Sequence, residues 1–265
     1  MPQTSTYRQK YFAILENPEI LDYGTYLNCD RLLDCQKPLN ELCNADELQF
    51  QIVHQIEELW MKLMVYTLVD VLEYIQQENT HRVVTLMKRV HMIQRMMIQQ
   101  LDLLETMSPK EYHQIRLQLG NGSGQESPGF RSLLQLPPDL WTEFSAHYLT
   151  GRGKTVESIY DSQYAHDDSY VVAESLLEFD EQLQKFRSNH LFLIQRSIGM
   201  GSKSLKGRAV ELLEAGAKHR SFPQLWDIRS AMTDSWGQEY GKVRDSITPD
   251  KPQCPFHKAI DESVD

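Results

Sequence analysis

The stretch Glu47–Leu63, ELQFQIVHQIEELWMKL, decides the fold. Phe50, Val53, Glu57, Trp60, Met61 and the following Met64 recur at spacings of three and four, which is one face of a helix with 3.6 residues per turn. His54 falls in that stripe, four residues after Phe50, where leucine would fill an apolar face at lower cost. The periodicity predicts a long helix, capped by Asn44 or Asp46 and running to about Gln77, with its imidazole on the buried side.

The same period continues along the chain. RVVTLMKRVHMIQRMMIQQLDLLETM predicts a second long helix over about Arg82–Met107, and SPKEYHQIRLQL a short one that starts at Ser108-Pro109 and ends at Gly120. A third long helix is expected over about Tyr170–Gly199 and another over Leu205–Lys218, before FPQLWDIRSAM. YLNCDRLLDCQ is a short helix stopped before Pro38. The more polar stretch from Pro137 to Tyr170 reads as an exposed connection or helical hairpin. GNGSGQESPGF, residues 120–130, holds four glycines and a proline and is a loop. It lacks the G-x-x-x-x-G-K-[ST] pattern and follows a helix, which argues against a phosphate cradle. No alternating strand pattern occurs, so the expected architecture is all-α. It comprises an N-terminal lead over residues 1–21, one helical domain over 22–240 and a tail over 241–265.

Bulk properties exclude several classes. Lysine plus arginine number 27 against 37 aspartates and glutamates, a formal charge of −10. Nucleic acid and anionic membrane surfaces both draw affinity from clustered cations, so a chain this acidic is a poor candidate for either. No apolar run reaches the roughly 18 residues of a membrane span, and MPQTSTYRQKYFAILENPE lacks the pattern of a secretion signal. A soluble cytoplasmic protein is expected. Cys29, Cys35, Cys43 and Cys254 form no C-x-x-C pair and no C-x-x-C-H, so a zinc ribbon, a redox pair and covalent haem attachment are not indicated. No H-E-x-x-H or other metal signature appears, and HDDSY at 166–170 reads as a solvated turn.

Two of the nine histidines stand out. His54 shares its helix face with Phe50, Glu57 and Met61. His190 shares one with Leu183, Phe186, Leu193, Ile194 and Ser197. Each alone reads as a core histidine hydrogen-bonded to a neighbour. Together, on two long helices, they also fit a site built between facing helices, and a pair of imidazoles in apolar walls suits a haem. His91 has arginine and lysine neighbours and reads as a surface or interhelical residue. Tyr112 and Arg116 stand one turn apart and project together. Arg116 is either a solvated arginine or a guanidinium fork for a carboxylate.

Five blocks in order, YGTYLNCDRLLDCQKPL, DELQFQIVHQIEELWMKLM, SPKEYHQIR, FRSNHLFLIQRSIG and FPQLWDIR, resemble tryptophan 2,3-dioxygenase and the wider superfamily of histidine-ligated haem-dependent aromatic oxygenases. The match is collinear over about residues 22–230, and H-Q-x-x-E-L-W-M-K at 54–62 is its most specific part. The resemblance implies a single helical domain with non-covalent haem b between long helices and O2 as co-substrate. It assigns His190 as axial iron ligand, His54 as the distal histidine near the indole nitrogen and Phe50 as a pocket wall. Arg116, with Tyr112 beside it, becomes the carboxylate clamp. Tyr23 and Leu27 match residues that enter a neighbouring subunit's pocket, so a homotetramer, or at least a dimer, is implied. The family's glycine-rich GTGG segment reads GMGSKSLKGR here, with Ser204 nearest the threonine that holds the substrate's amino end. The turn after the arginine is expanded to GNGSGQESPGF, which implies a reshaped pocket. The function implied is oxygen insertion into the indole ring of tryptophan or a tryptophan-like compound. The alternatives are a monooxygenase of an indole or tyrosine-type amino acid and, from another class, a haem- or gas-binding sensor.

Overall fold

The computed structural model describes residues 6–16, 19, 21–120, 122, 124–203 and 216–237. Helix is the dominant regular structure, and no β-sheet forms among the described residues. The elements are α1 (Thr6–Glu16), α2 (Asp22–Leu27), α3 (Cys29–Leu33), α4 (Asp46–Gln76), α5 (Thr80–Leu104), α6 (Pro109–Gln118), α7 (Pro128–Leu133), α8 (Leu136–Phe144), α9 (Val156–Tyr160), α10 (Asp168–Ile198) and α11 (Pro223–Trp236). The chain divides into two compact units, residues 1–226 and 227–265; of the second only residues 227–237 are described.

Three long helices, α4, α5 and α10, form the frame of the first unit. Met64, Leu68, Val71 and Ile75 of α4 pack with Val83, Leu86, Met87 and Val90 of α5 and with Val172, Ala173, Leu176 and Phe179 of α10. Each such side chain removed from water contributes roughly 1.5–3 kcal/mol. Polar contacts fix how α5 lies on α10. His91 Nε2 lies 3.0 Å from the Ser175 carbonyl and its Nδ1 3.1 Å from Glu178, while the Gln94 amide donates to the Phe179 carbonyl at 2.9 Å. His91 is thus an interhelical residue, buried rather than on the surface.

Helix ends follow local chemistry. Ala45, not Asn44 or Asp46, is the N-cap of α4; Asn44 sits one residue earlier, where its Oδ1 accepts from the Asp46 N–H at 3.0 Å. Asn79 caps α5 by accepting from the Arg82 N–H, so that helix starts at Thr80, two residues before the expected start at Arg82. Asp167 caps α10 in the same way through Tyr170 N–H, which makes HDDSY the approach to a helix rather than a free turn.

The region from 137 to 170 departs from expectation. Far from an exposed connection, it carries Pro137, Leu140, Phe144, Tyr148, Leu149 and Ile159 into the core along α8, a π-helical turn and α9. Its exposed polar residues masked a narrow apolar stripe. The helix expected over 205–218 lies largely outside the described residues.

Asp180 ties the chain after that segment back to α10. Its Oδ2 accepts from the backbone N–H groups of Ser221 and Phe222 and from the Trp226 indole, at 2.8, 3.2 and 2.9 Å. At the other side, α7 closes on α4 at Gly129, whose N–H donates to Glu58 at 3.1 Å. A Cβ on Gly129 would stand 2.7 Å from Met61 Cβ and 2.8 Å from Glu58 Oε2. Gly129→Ala is therefore expected to push α7 off α4 and cost about 1–3 kcal/mol, read as a lowered midpoint in chemical denaturation; an unchanged midpoint would show that the two helices separate freely.

Candidate active site

Where α4 and α10 diverge from the main core, a second apolar cluster of Val53, Leu101, Leu104, Met107, Ile115 and Leu193 forms, with Phe50, Tyr112 and Phe186 at its margin. Phe50 and His54 stand one turn apart on α4, ring centroids 4.1 Å apart. His54 Nδ1 lies 2.7 Å from the Phe50 carbonyl, so in the neutral ring Nδ1–H donates to the helix backbone and Nε2 is left as an acceptor. Proline at the start of α6 sets that helix so that Tyr112 comes to 6.3 Å from Phe50. Arg116 follows one turn later and lies close enough to oppose the burial that raises the Tyr112 hydroxyl. Its guanidinium donates to the Lys203 carbonyl, which brings the segment after α10 against α6.

His190 occupies the facing wall. Phe186, one turn earlier on α10, lies parallel to it, 4° between planes and 6.4 Å between centroids. Burial, and to a lesser extent the nearby His54, push the His190 pKa down to about 4. His54 is lowered as well, by burial first. Yet both residues retain substantial accessible surface, contrary to the expectation that His54 is enclosed in a helix face. The two facts together describe rings hemmed in by protein atoms yet reached by solvent, as in a slot. No hydrogen bond acts on the His190 ring among the described residues.

Phe50, His54, Tyr112, Arg116 and His190 are thus brought together. Tyr23 and Leu27 are not; they lie on α2 with 75% and 42% of their surfaces exposed. Ser204 lies outside the described residues. Glu57 had been placed on the α4 stripe without a role. It is 8% exposed, its Oε1 has no hydrogen-bond partner among the described residues, and burial, then Glu58, raises its pKa to about 7. A carboxyl in an apolar stripe was the available signal.

Two neutral imidazoles with free nitrogens, set in an apolar slot, are suited to a metalloporphyrin: a neutral ring nitrogen ligates iron and apolar walls take the macrocycle. No group of three or more histidine, cysteine or acidic side chains is placed to hold a bare metal ion among the described residues.

The sequence model of the family described as Tryptophan 2,3-dioxygenase matches residues 15–136. A tryptophan 2,3-dioxygenase of Myxococcus xanthus is 30% identical, the alignment covering 80% of this chain and 89% of the relative. One from Serratia proteamaculans is 29% identical over 79% and 92%, and one from Bacillus cereus 29% identical over 81% and 94%. These relatives place the chain in a class of haem-dependent dioxygenases, which use haem and O2. The chain belongs to the tryptophan 2,3-dioxygenase family.

His190→Ala is expected to abolish stoichiometric haem uptake, measured by the Soret band after haem supply; a normal band would place the ligand elsewhere. Because the ring's folded pKa, about 4, lies below its ordinary value of 6.5, the imidazole is neutral above that window. Its contribution to stability is present above the unfolded value and lost as pH falls through the folded one. Haem affinity is accordingly expected to be flat between about pH 6.5 and 8 and to fall toward pH 4, which a pH series of haem titrations measures.

Proposed function

We propose that the protein is an oxygenase that inserts oxygen from O2 into the indole ring of tryptophan or a close analogue, using haem b held non-covalently through His190. The observation that carries this reading is the facing pair of neutral imidazoles, His54 and His190, with Arg116 and Tyr112 at one end of the slot between them. When bound, the haem supplies O2 activation. The chain's own residues supply everything else.

Arg116 offers its remaining N–H groups as a fork for the substrate carboxylate. The Lys203 carbonyl holds the guanidinium in place beforehand, which reduces the ordering cost of binding. Phe50 then packs against the aromatic ring, and its contact with His54 keeps the imidazole edge toward the same space. His54 Nε2 accepts the indole N–H, because Nδ1–H is committed to the Phe50 carbonyl. The imidazole stays uncharged, as the depressed pKa requires, so it orients the ring without placing a cation in the slot. Apolar closure by Val53, Leu193 and Phe186 excludes water from the reacting ring.

The exposed apolar residues of the N-terminal arm, Tyr7, Tyr11, Leu15, Leu21, Tyr23 and Tyr26, support a homo-oligomer in which Tyr23 and Leu27 complete a neighbouring copy's slot. Among the described residues no helix is long and apolar enough to cross a membrane, and the acidic composition supports a cytoplasmic location.

Aerobic incubation of the ferrous, haem-loaded protein with tryptophan, its methylated forms and tyrosine, read by mass spectrometry, tests the proposal. Gain of both oxygen atoms is expected; gain of one indicates a monooxygenase, and a Soret band with no product indicates a sensor. Arg116→Ala is expected to raise the substrate KM about ten- to a hundredfold, as for loss of a charged hydrogen bond. An unchanged KM would remove Arg116 from the site.

A further inference from the structure

Four helices meet around a small cavity for which the reading above has no use. Met64 of α4, Met97 of α5, Phe130 and Leu133 of α7, and Leu183 and Phe186 of α10 line it. It has room for about one molecule the size of water or dioxygen, too little for a substrate ring. Both helices that carry the slot histidines, α4 and α10, contribute to its walls. It lies where the two apolar clusters join, because Phe186 packs against the main core and against the cluster beside the histidines. The same ring lies parallel to His190, one turn on, with 6.4 Å between centroids. Phe130 meets Phe186 at 6.2 Å, so two aromatic rings bound the cavity together.

The walls select the occupant. Met64, Met97, Leu133 and Leu183 are buried, and nearly all the surface facing the cavity is apolar. Two glutamines, Gln94 and Gln182, also reach it. The Gln94 Nε2–H is spent on the Phe179 carbonyl, 2.9 Å away. Its Oε1, unpartnered among the described residues, is covered by neighbouring atoms. That leaves the Gln182 amide, whereas a buried water needs about two to four polar partners. An apolar cavity short of such partners stays dry and takes apolar guests such as xenon. Met64 and Met97 adapt to the guest, since an unbranched thioether chain changes rotamer readily. A neutral diatomic gas suits these walls. It has no hydrogen bonds to lose and gains by leaving water for an apolar space.

We propose that this cavity is a docking site for dioxygen, held beside Phe186 before it enters the space between His54 and His190. The inference rests on the haem-dependent oxygenase reading above and adds where the co-substrate gas collects. No bond forms or breaks at the site. The apolar walls raise the local concentration of the gas, and Phe186 is the side chain that the cavity shares with the His190 wall.

Crystals of the haem-loaded protein pressurised with xenon test this directly. Xenon is expected in contact with Met64, Met97 and Phe186. An ordered water that persists there under xenon, or xenon bound only elsewhere, overturns the proposal. Flash photolysis of the carbon monoxide complex of the ferrous protein gives a second readout. Gas that docks in the cavity rebinds in a phase independent of carbon monoxide concentration, and xenon is expected to remove that phase. Leu133→Phe, which fills the cavity, is expected to lose both the xenon site and the phase while keeping the Soret band and the concentration-dependent phase. Leu183→Phe carries the same expectation should the first variant fold poorly. A filled variant that keeps the phase overturns the proposal, as does a wild-type phase that xenon leaves unchanged. Protein that takes up no haem overturns the oxygenase reading and this proposal with it, whereas haem-loaded protein without xenon in the cavity overturns the proposal alone.

Discussion

The structure depends on keeping two imidazoles uncharged while leaving room between them. Protonating a ring in the slot costs it solvation, a penalty that at His54 outweighs the opposing pull of Glu58; burial therefore holds both histidines neutral. Neutrality makes His190 a competent iron donor and His54 a competent acceptor for an indole N–H. The open space between them cannot be maintained by the two side chains. It depends on the frame, in which α4 and α10, 31 residues each, both pack on α5 along their apolar lengths.

The frame also explains the surrounding polar contacts. Gly129 lets α7 come within contact of Met61 and Glu58 on α4. Asp180 gathers three donors from residues 221–226 onto α10, two turns before Phe186. The Arg116–Lys203 contact draws the segment after α10 toward α6, so the helix carrying His190 and the arginine proposed to bind the carboxylate are mechanically joined. A change in the residues following α10 is felt at both.

Much of this was legible in the sequence because long helices announce themselves by period. The stripe through Phe50, Val53, Met61 and Met64 and the matching one through Leu183, Phe186 and Leu193 located both walls, and the family resemblance assigned their histidines. Legibility failed where a local signal was short or ambiguous. Phe144 and Tyr148 were hidden among polar neighbours, and a π-helical turn there breaks the regular period. Helix starts shifted by one or two residues: Ala45 took the cap position between the expected Asn44 and Asp46, and Asn79 began α5 ahead of its apolar stripe. His54 looked buried, since periodicity reports which face a side chain is on and cannot report whether that face meets a packed core or a slot. Glu57 was passed over for the same reason: a face assignment carries no information about missing partners.

Resonance Raman spectroscopy of the ferrous, haem-loaded protein tests the central claim most directly, because the iron–histidine stretching band reports how many imidazoles ligate and in what state. The account predicts five-coordinate iron bearing one neutral imidazole, with the band lost when residue 190 is replaced and preserved when residue 54 is. Six-coordinate iron ligated by both imidazoles, or a cysteine-ligated spectrum, would contradict it.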